Sequence, residues 1–263
     1  MGADKRENQF LIQGSILAAA SLLVRIIGLI YRIPMTRIIG DEGMGLYTIA
    51  FELYSITLIL STYSLPLAVS KLVAAKNSNR EYRNSYRIFI TAMGFAFVVG
   101  LIASLILFFG ADFFATVVNN DPNAALPIKV LAPTLFVFSI MGVFRGFYQG
   151  KNTMIPTAIS QVIEQIVNAV VSVLAAYMLM KNFSASEHLA AYGAAGGTLG
   201  TLIGAISGLL FLWFVYIIYR PVLRKQLRSD RNPYTDSYKD ILKMLAVTIS
   251  PIILSQTVYH ISG

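Results

Sequence analysis

The chain has 263 residues, 56% of them hydrophobic and 13% charged. Soluble domains carry about 25% charged residues, so this is the composition of a membrane protein. Cysteine is absent, which excludes disulfides, thiolate metal sites and cysteine nucleophiles, and the formal charge is +8. The only histidines, His188 and His260, stand too far apart in sequence to suggest a site. No P-loop, zinc motif or nucleophile elbow occurs, which argues against an ATP-driven pump. No cofactor or metal is expected. The N-terminal "MGADKRENQF" leads into an apolar run too long for a signal-peptide core, and residue 6 is Arg where myristoylation wants Ser or Thr.

A membrane span needs about 20 mostly apolar residues. Seven runs meet this, and all are read as helices because lipid satisfies no other open structure. The first, Phe10–Ile33, holds Arg25 in its middle. A central arginine costs about 2.5–3.5 kcal/mol on insertion scales, so something in the folded protein should offset it. Arg32 lies seven residues on, within about 20° of the same helix face; it and Arg37 can alternatively snorkel to headgroups. The second run, Leu46–Leu72, carries a polar stripe of Glu52, Ser55, Thr62 and Tyr63. An Arg32–Glu52 or Arg25–Glu52 pair would offset the insertion cost.

The third run is Ile88–Val118, with its core ending at Gly110, and the fourth is Leu126–Phe147. The fifth, Met154–Met180, sets Gln161, Glu164, Gln165 and Asn168 at i, i+3, i+4 and i+7, one helical face. Glu164 falls about 18 Å along the helix, near mid-membrane. That face is read as a cavity wall; the alternative is interhelical hydrogen bonding. The sixth run, Leu189–Tyr219, repeats glycine every fourth residue at Gly196, Gly200, Gly204 and Gly208, a surface for close helix packing. Pro34, Pro66, Pro133, Pro156 and Pro251 lie in or at the ends of spans, where proline kinks or breaks a helix. The seventh run is Ile241–Ser262.

With the N-terminus placed inside, sixteen of the 21 basic residues fall on inner segments and four, Arg32, Arg37, Lys129 and Lys181, on outer ones. The basic charge is therefore a topology signal, and nucleic acid is not an expected partner. Residues 220–240 are basic and polar, and read as a solvated cytoplasmic linker that also touches membrane lipids. The expected organisation is a six-helix lobe over residues 1–219, the linker over 220–240, and a seventh helix over 241–263 that opens a truncated second lobe.

"RIIGLIYRIPMTRIIGDEGMGLYTIAF", "LPLAVSKLVAAK" and "FRGFYQGKNTMIPTAISQVIEQIV" resemble the polysaccharide and oligosaccharide flippases of the multidrug/oligosaccharidyl-lipid/polysaccharide exporter superfamily. Within it they resemble the stage V sporulation protein B-like and Gram-positive lipid II flippase branch. The resemblance implies two six-helix lobes about a central cavity, the second lying C-terminal to this chain. It also implies movement of undecaprenyl-linked sugar intermediates across the cytoplasmic membrane by alternating access. Arg25 matches the family's first-helix "R-x-x-G" arginine, with Gly28 as its glycine, and Arg32 corresponds approximately to the second cavity arginine.

The expected cavity residues are Arg25, Arg32, Glu52, Gln161, Glu164, Gln165 and Asn168. A permanently charged fork suits a diphosphate. Two other readings stay open, a cation-coupled small-molecule antiporter of the same superfamily and a non-transporting scaffold in envelope or spore assembly. An intramembrane transferase is not favoured, because neither histidine has an acidic partner in sequence.

Overall fold

The computed structural model describes residues 2–262, with side chains from 12 to 253 and at 255. The side chains of Lys5, Arg6 and His260, and Gly263 itself, lie outside the described residues. Helix takes nearly the whole chain, and the described residues contain no strand. The first long helix, α1 (Gly2–Ser61), is two arms in one run. Its apolar stretch continues to Ser78, 67 residues in all, about 100 Å of helix against a hydrocarbon core of about 30 Å. The chain must therefore fold back, and it does so at Gly40, where φ is 69° and ψ is −178°. That backbone region is essentially open to glycine alone.

The second span breaks again at residues 62–64 before α2 (Leu65–Ser78), with Pro66 in its first turn and Ser64 at its N-cap. The third span is α3 (Tyr82–Phe109), then the short α4 (Ala111–Phe113) and a π-helical turn, Phe114–Val118. A 3-10 turn, Pro122–Ala124, leads into α5 (Ala125–Leu131) and α6 (Pro133–Gly150), which together make the fourth. Next come α7 (Ile155–Asn182), α8 (Leu189–Ser229) and α9 (Tyr238–Ser262). Among the described residues five stretches are long and apolar enough to cross a membrane, and the first, Ile12–Ser78, contains two of the expected spans. The chain is an all-α polytopic membrane protein.

Small residues set the seams. A Cβ on Gly196 would lie 2.5 Å from the Ala176 backbone, and one on Gly204 would lie 2.6 Å from the Glu164 carbonyl oxygen. The glycine stripe of α8 therefore lies backbone-to-backbone on α7. Gly146 of α6 sits just as close to the Pro66 carbonyl of α2. At the end of the bundle that holds Lys76 and Arg83, Val69, Phe89, Phe144 and Phe147 form one apolar core, joined by Ile241, Leu245 and Ile249 of α9. The opening of α9 is thus packed into the same bundle as α2, α3 and α6.

Residues 220–240 are mostly exposed, as a linker would be, but they are structured. They stay helical through Ser229, and 230–236 dock on the turn between α2 and α3. Asp230, 6% exposed, accepts the Arg83 N–H at 2.7 Å and so caps α3. Asn84 accepts the Asp236 N–H and donates to the Tyr234 carbonyl. Lys76 bridges Glu81 at 2.9 Å and Asp236 at 2.7 Å. The basic composition hides two acids placed for the orphan amides of a helix start and for a lysine. Hydrogen bonds from Asn84 and then Lys76 hold the Glu81 carboxyl below its ordinary range.

Candidate functional site

The two arms of α1 diverge from Gly40 and leave a cleft of about 620 Å³, lined by Gly28, Arg32, Tyr47, Thr48, Glu52 and Ser55 among others. The Tyr31 and Tyr47 hydroxyls, 3.3 Å apart, bridge the arms. Arg32 and Glu52 face this one cleft, but among the described residues no ion pair joins Glu52 to Arg32 or to Arg25. The expected pairs are therefore corrected. Measured from Gly40, Arg32 is eight residues up one arm and Glu52 twelve down the other, about 12 and 18 Å along the helices. That offset and the open cleft keep the charges apart. Arg25, also exposed, lies outside the cleft lining.

The polar face of α7 divides. Gln165 packs on the first arm of α1, its Nε2 3.5 Å from where a Gly28 Cβ would stand. Asn168 turns into the seam with α8, where its Oδ1 accepts the hydroxyls of Ser172 at 2.9 Å and Thr201 at 3.4 Å. Both bonds are interhelical or intrahelical ties of the packing kind. Glu164 pairs with Arg145 of α6, Oε2 to Nη2 at 2.6 Å, and the Arg145 Nε donates to Ser160 at 3.1 Å. The Gln161 Oε1 is occluded and has no hydrogen-bond partner among the described residues.

Arg145 is the residue that sequence reasoning missed, having counted only in the topology argument. The signal was its position. α6 and α7 are joined by a short turn near residues 151–154, and Arg145 and Ser160 stand equally far from its centre. In an antiparallel hairpin that places them at one level. Among the described residues no group of three or more metal-ligating acids or histidines occurs.

Over 183 residues the chain is 33% identical to the lipid II flippase MurJ of Bacillus subtilis (strain 168), covering 66% of this chain and 34% of that one. Over 146 residues it is 32% identical to stage V sporulation protein B of the same organism, covering 56% and 28%. The chain thus spans about a third of the length of these relatives. Among solved structures, a MATE transporter in the straight conformation superposes with a TM-score of 0.76 at 16% identity, covering 95% of this chain and 53% of that one. A MOP superfamily transporter from Pyrococcus furiosus superposes with a TM-score of 0.67 at 17% identity, covering 92% and 52%. The likeness to these structures is one of fold. The model of the polysaccharide biosynthesis protein family matches residues 11–261, and the chain belongs to that family.

Proposed function

We propose that this chain forms the first lobe of a flippase that carries an undecaprenyl-diphosphate-linked oligosaccharide or peptidoglycan precursor across the cytoplasmic membrane. The N-terminus lies inside, and a second lobe follows residue 263. The observation that carries the reading is Arg32, an exposed guanidinium on a membrane-spanning helix that faces a cleft and has no carboxylate partner among the described residues. A charge in that setting is stabilised by an anion that enters the cleft, and a diphosphate matches the guanidinium fork. The names of the relatives, a lipid II flippase and a sporulation membrane protein, support the substrate class.

Alternating access moves one bundle against another around a midplane site, and the solved transporters are about twice as long as this chain. The small-molecule antiporter reading loses one of its two acids, because Arg145 neutralises Glu164. The scaffold reading leaves a cleft that exposes Arg32 and Glu52 without a purpose.

Flipping of a fluorescent undecaprenyl-diphosphate sugar in proteoliposomes tests the proposal in the chain extended by its second lobe. Arg25→Ala and Arg32→Ala should abolish flipping with insertion intact, and Arg32→Lys should restore only part. Normal flipping by both alanine variants refutes the anion-binding role.

A further inference from the structure

A second cleft, of about 450 Å³, opens where the second span breaks, with Thr62, Ser64, Arg145 and Gln149 in its lining. Thr62 is 3% and Ser64 2% exposed, yet among the described residues neither hydroxyl oxygen has a hydrogen-bond partner. Buried polar groups are normally paired, so two such oxygens side by side need an explanation.

Their usual local outlets are closed. Thr57 and Ser61 bond back to carbonyls four residues earlier, but the carbonyl that would serve Thr62, on Leu58, already accepts the N–H groups of Thr62 and Tyr63. Ser64 is the N-cap of α2 and makes no side-chain cap bond, with Pro66, which has no N–H, in the first turn. Beside them Arg145 uses Nη2 on Glu164 and Nε on Ser160. No hydrogen bond engages its Nη1 among the described residues. Two hydroxyl donors, a spare guanidinium N–H and the positive end of the 14-residue α2 converge on one cleft. Such a donor set fits a tetrahedral oxyanion.

We propose that this cleft is a phosphate subsite for an amphiphile, with the Thr62 and Ser64 hydroxyls donating and Arg145 moving from Glu164 to the anion. The Tyr54 hydroxyl, buried and with no hydrogen-bond partner among the described residues, would donate to Glu164 in exchange. The anion supplies the acceptor for the Thr62 and Ser64 hydroxyls. As a stop on the route of a transported diphosphate, the subsite rests on the transport reading above. The same chemistry would also take the headgroup of an anionic phospholipid.

The test is native mass spectrometry of the 263-residue chain in neutral micelles, titrated separately with undecaprenyl diphosphate, undecaprenol and phosphatidylglycerol. Thr62→Val combined with Ser64→Ala removes both hydroxyls at nearly constant shape. Its melting temperature without ligand should stay level or rise, because unpaired groups are being removed, while phosphate affinity falls about fivefold or more. Glu164→Gln should act oppositely and tighten phosphate binding about threefold or more, since Arg145 loses its competing carboxylate. Undecaprenol binding should not change in either variant.

Unchanged phosphate affinity in the double variant overturns the subsite, even if Arg32→Ala abolishes undecaprenyl diphosphate binding and so leaves the transport reading standing. If phosphatidylglycerol binds with the expected variant pattern and undecaprenyl diphosphate does not bind at all, the subsite stands as a lipid headgroup site, and the transport reading is decided separately by the flipping assay in the extended chain.

Discussion

Removing the charge of Glu164 leaves the Arg145 guanidinium without a counter-ion where only 11% of its side chain is exposed. Stranding one partner of a buried pair destabilises by about 3–5 kcal/mol. Glu164→Leu should reach that range. Glu164→Gln keeps a carbonyl for Nη2, and Ser160 still holds Nε, so about 2–3 kcal/mol is expected there. Arg145→Met strands a carboxylate with 19% of its side chain exposed and should also cost about 3–5 kcal/mol. The double variant Arg145→Met/Glu164→Leu removes both charges and fills the space with apolar atoms. It should lose less than either single change, giving a coupling of about 3 kcal/mol or more. Reversible unfolding in mixed micelles supplies the four free energies of the cycle. If the double variant loses the sum of the two singles, the pair contributes nothing and the reasoning is refuted.

Gly40→Ala meets no neighbouring atom within 4 Å, so its cost is backbone strain alone, about 1–3 kcal/mol in the same unfolding assay. Asp230→Ala should cost about 1–2 kcal/mol through loss of the α3 cap, and hydrogen exchange at the Arg83 amide should accelerate. Burial brings the Lys151 ammonium from an ordinary 10.5 down to about 8. Between those values the unfolded chain binds more protons than the folded one, so stability at this site rises with pH from about 8 to about 10.5; Lys151→Met should flatten that rise. Cysteines introduced singly at Arg80 and Arg231 should label only from the inside and at Asn119 and Ser184 only from the outside, and external labelling at position 80 would overturn the orientation.

Much of the helical layout was legible because lipid forces it. The fifth run was bounded as Met154–Met180 and α7 spans Ile155–Asn182, since the apolar content and the flanking turn residues mark both ends. The Gly196–Gly208 repeat could be read as a seam because a missing side chain every fourth residue has one geometric consequence. The chemistry was less legible. A helical wheel placed Gln161, Glu164, Gln165 and Asn168 together, but it could not say that α1, α6 and α8 would each take a different part of that face. Nor could hydropathy foresee the docking of 230–236, which depends on side chains meeting backbone groups about 150 residues away. Charge counting treated the same residues as a basic tether. The fold-back was expected between the first two spans, yet its hinge is Gly40 and not Pro34, which stays inside the helix.

The cap on α3 also orders events during synthesis. Arg83 leaves the ribosome 147 residues before the Asp230 carboxylate that receives its amide. At about 5–20 residues per second that interval is roughly 7–30 s. Throughout it, the start of α3 and the cluster around Lys76, Glu81 and Asn84 must wait in water or borrow other partners. The first two helical hairpins can insert early, but this end of the bundle closes only after α8 has been threaded into the membrane. A nascent chain halted near residue 200 should therefore expose this turn to protease, and one carrying all 263 residues plus a linker that clears the ribosomal tunnel should begin to protect it.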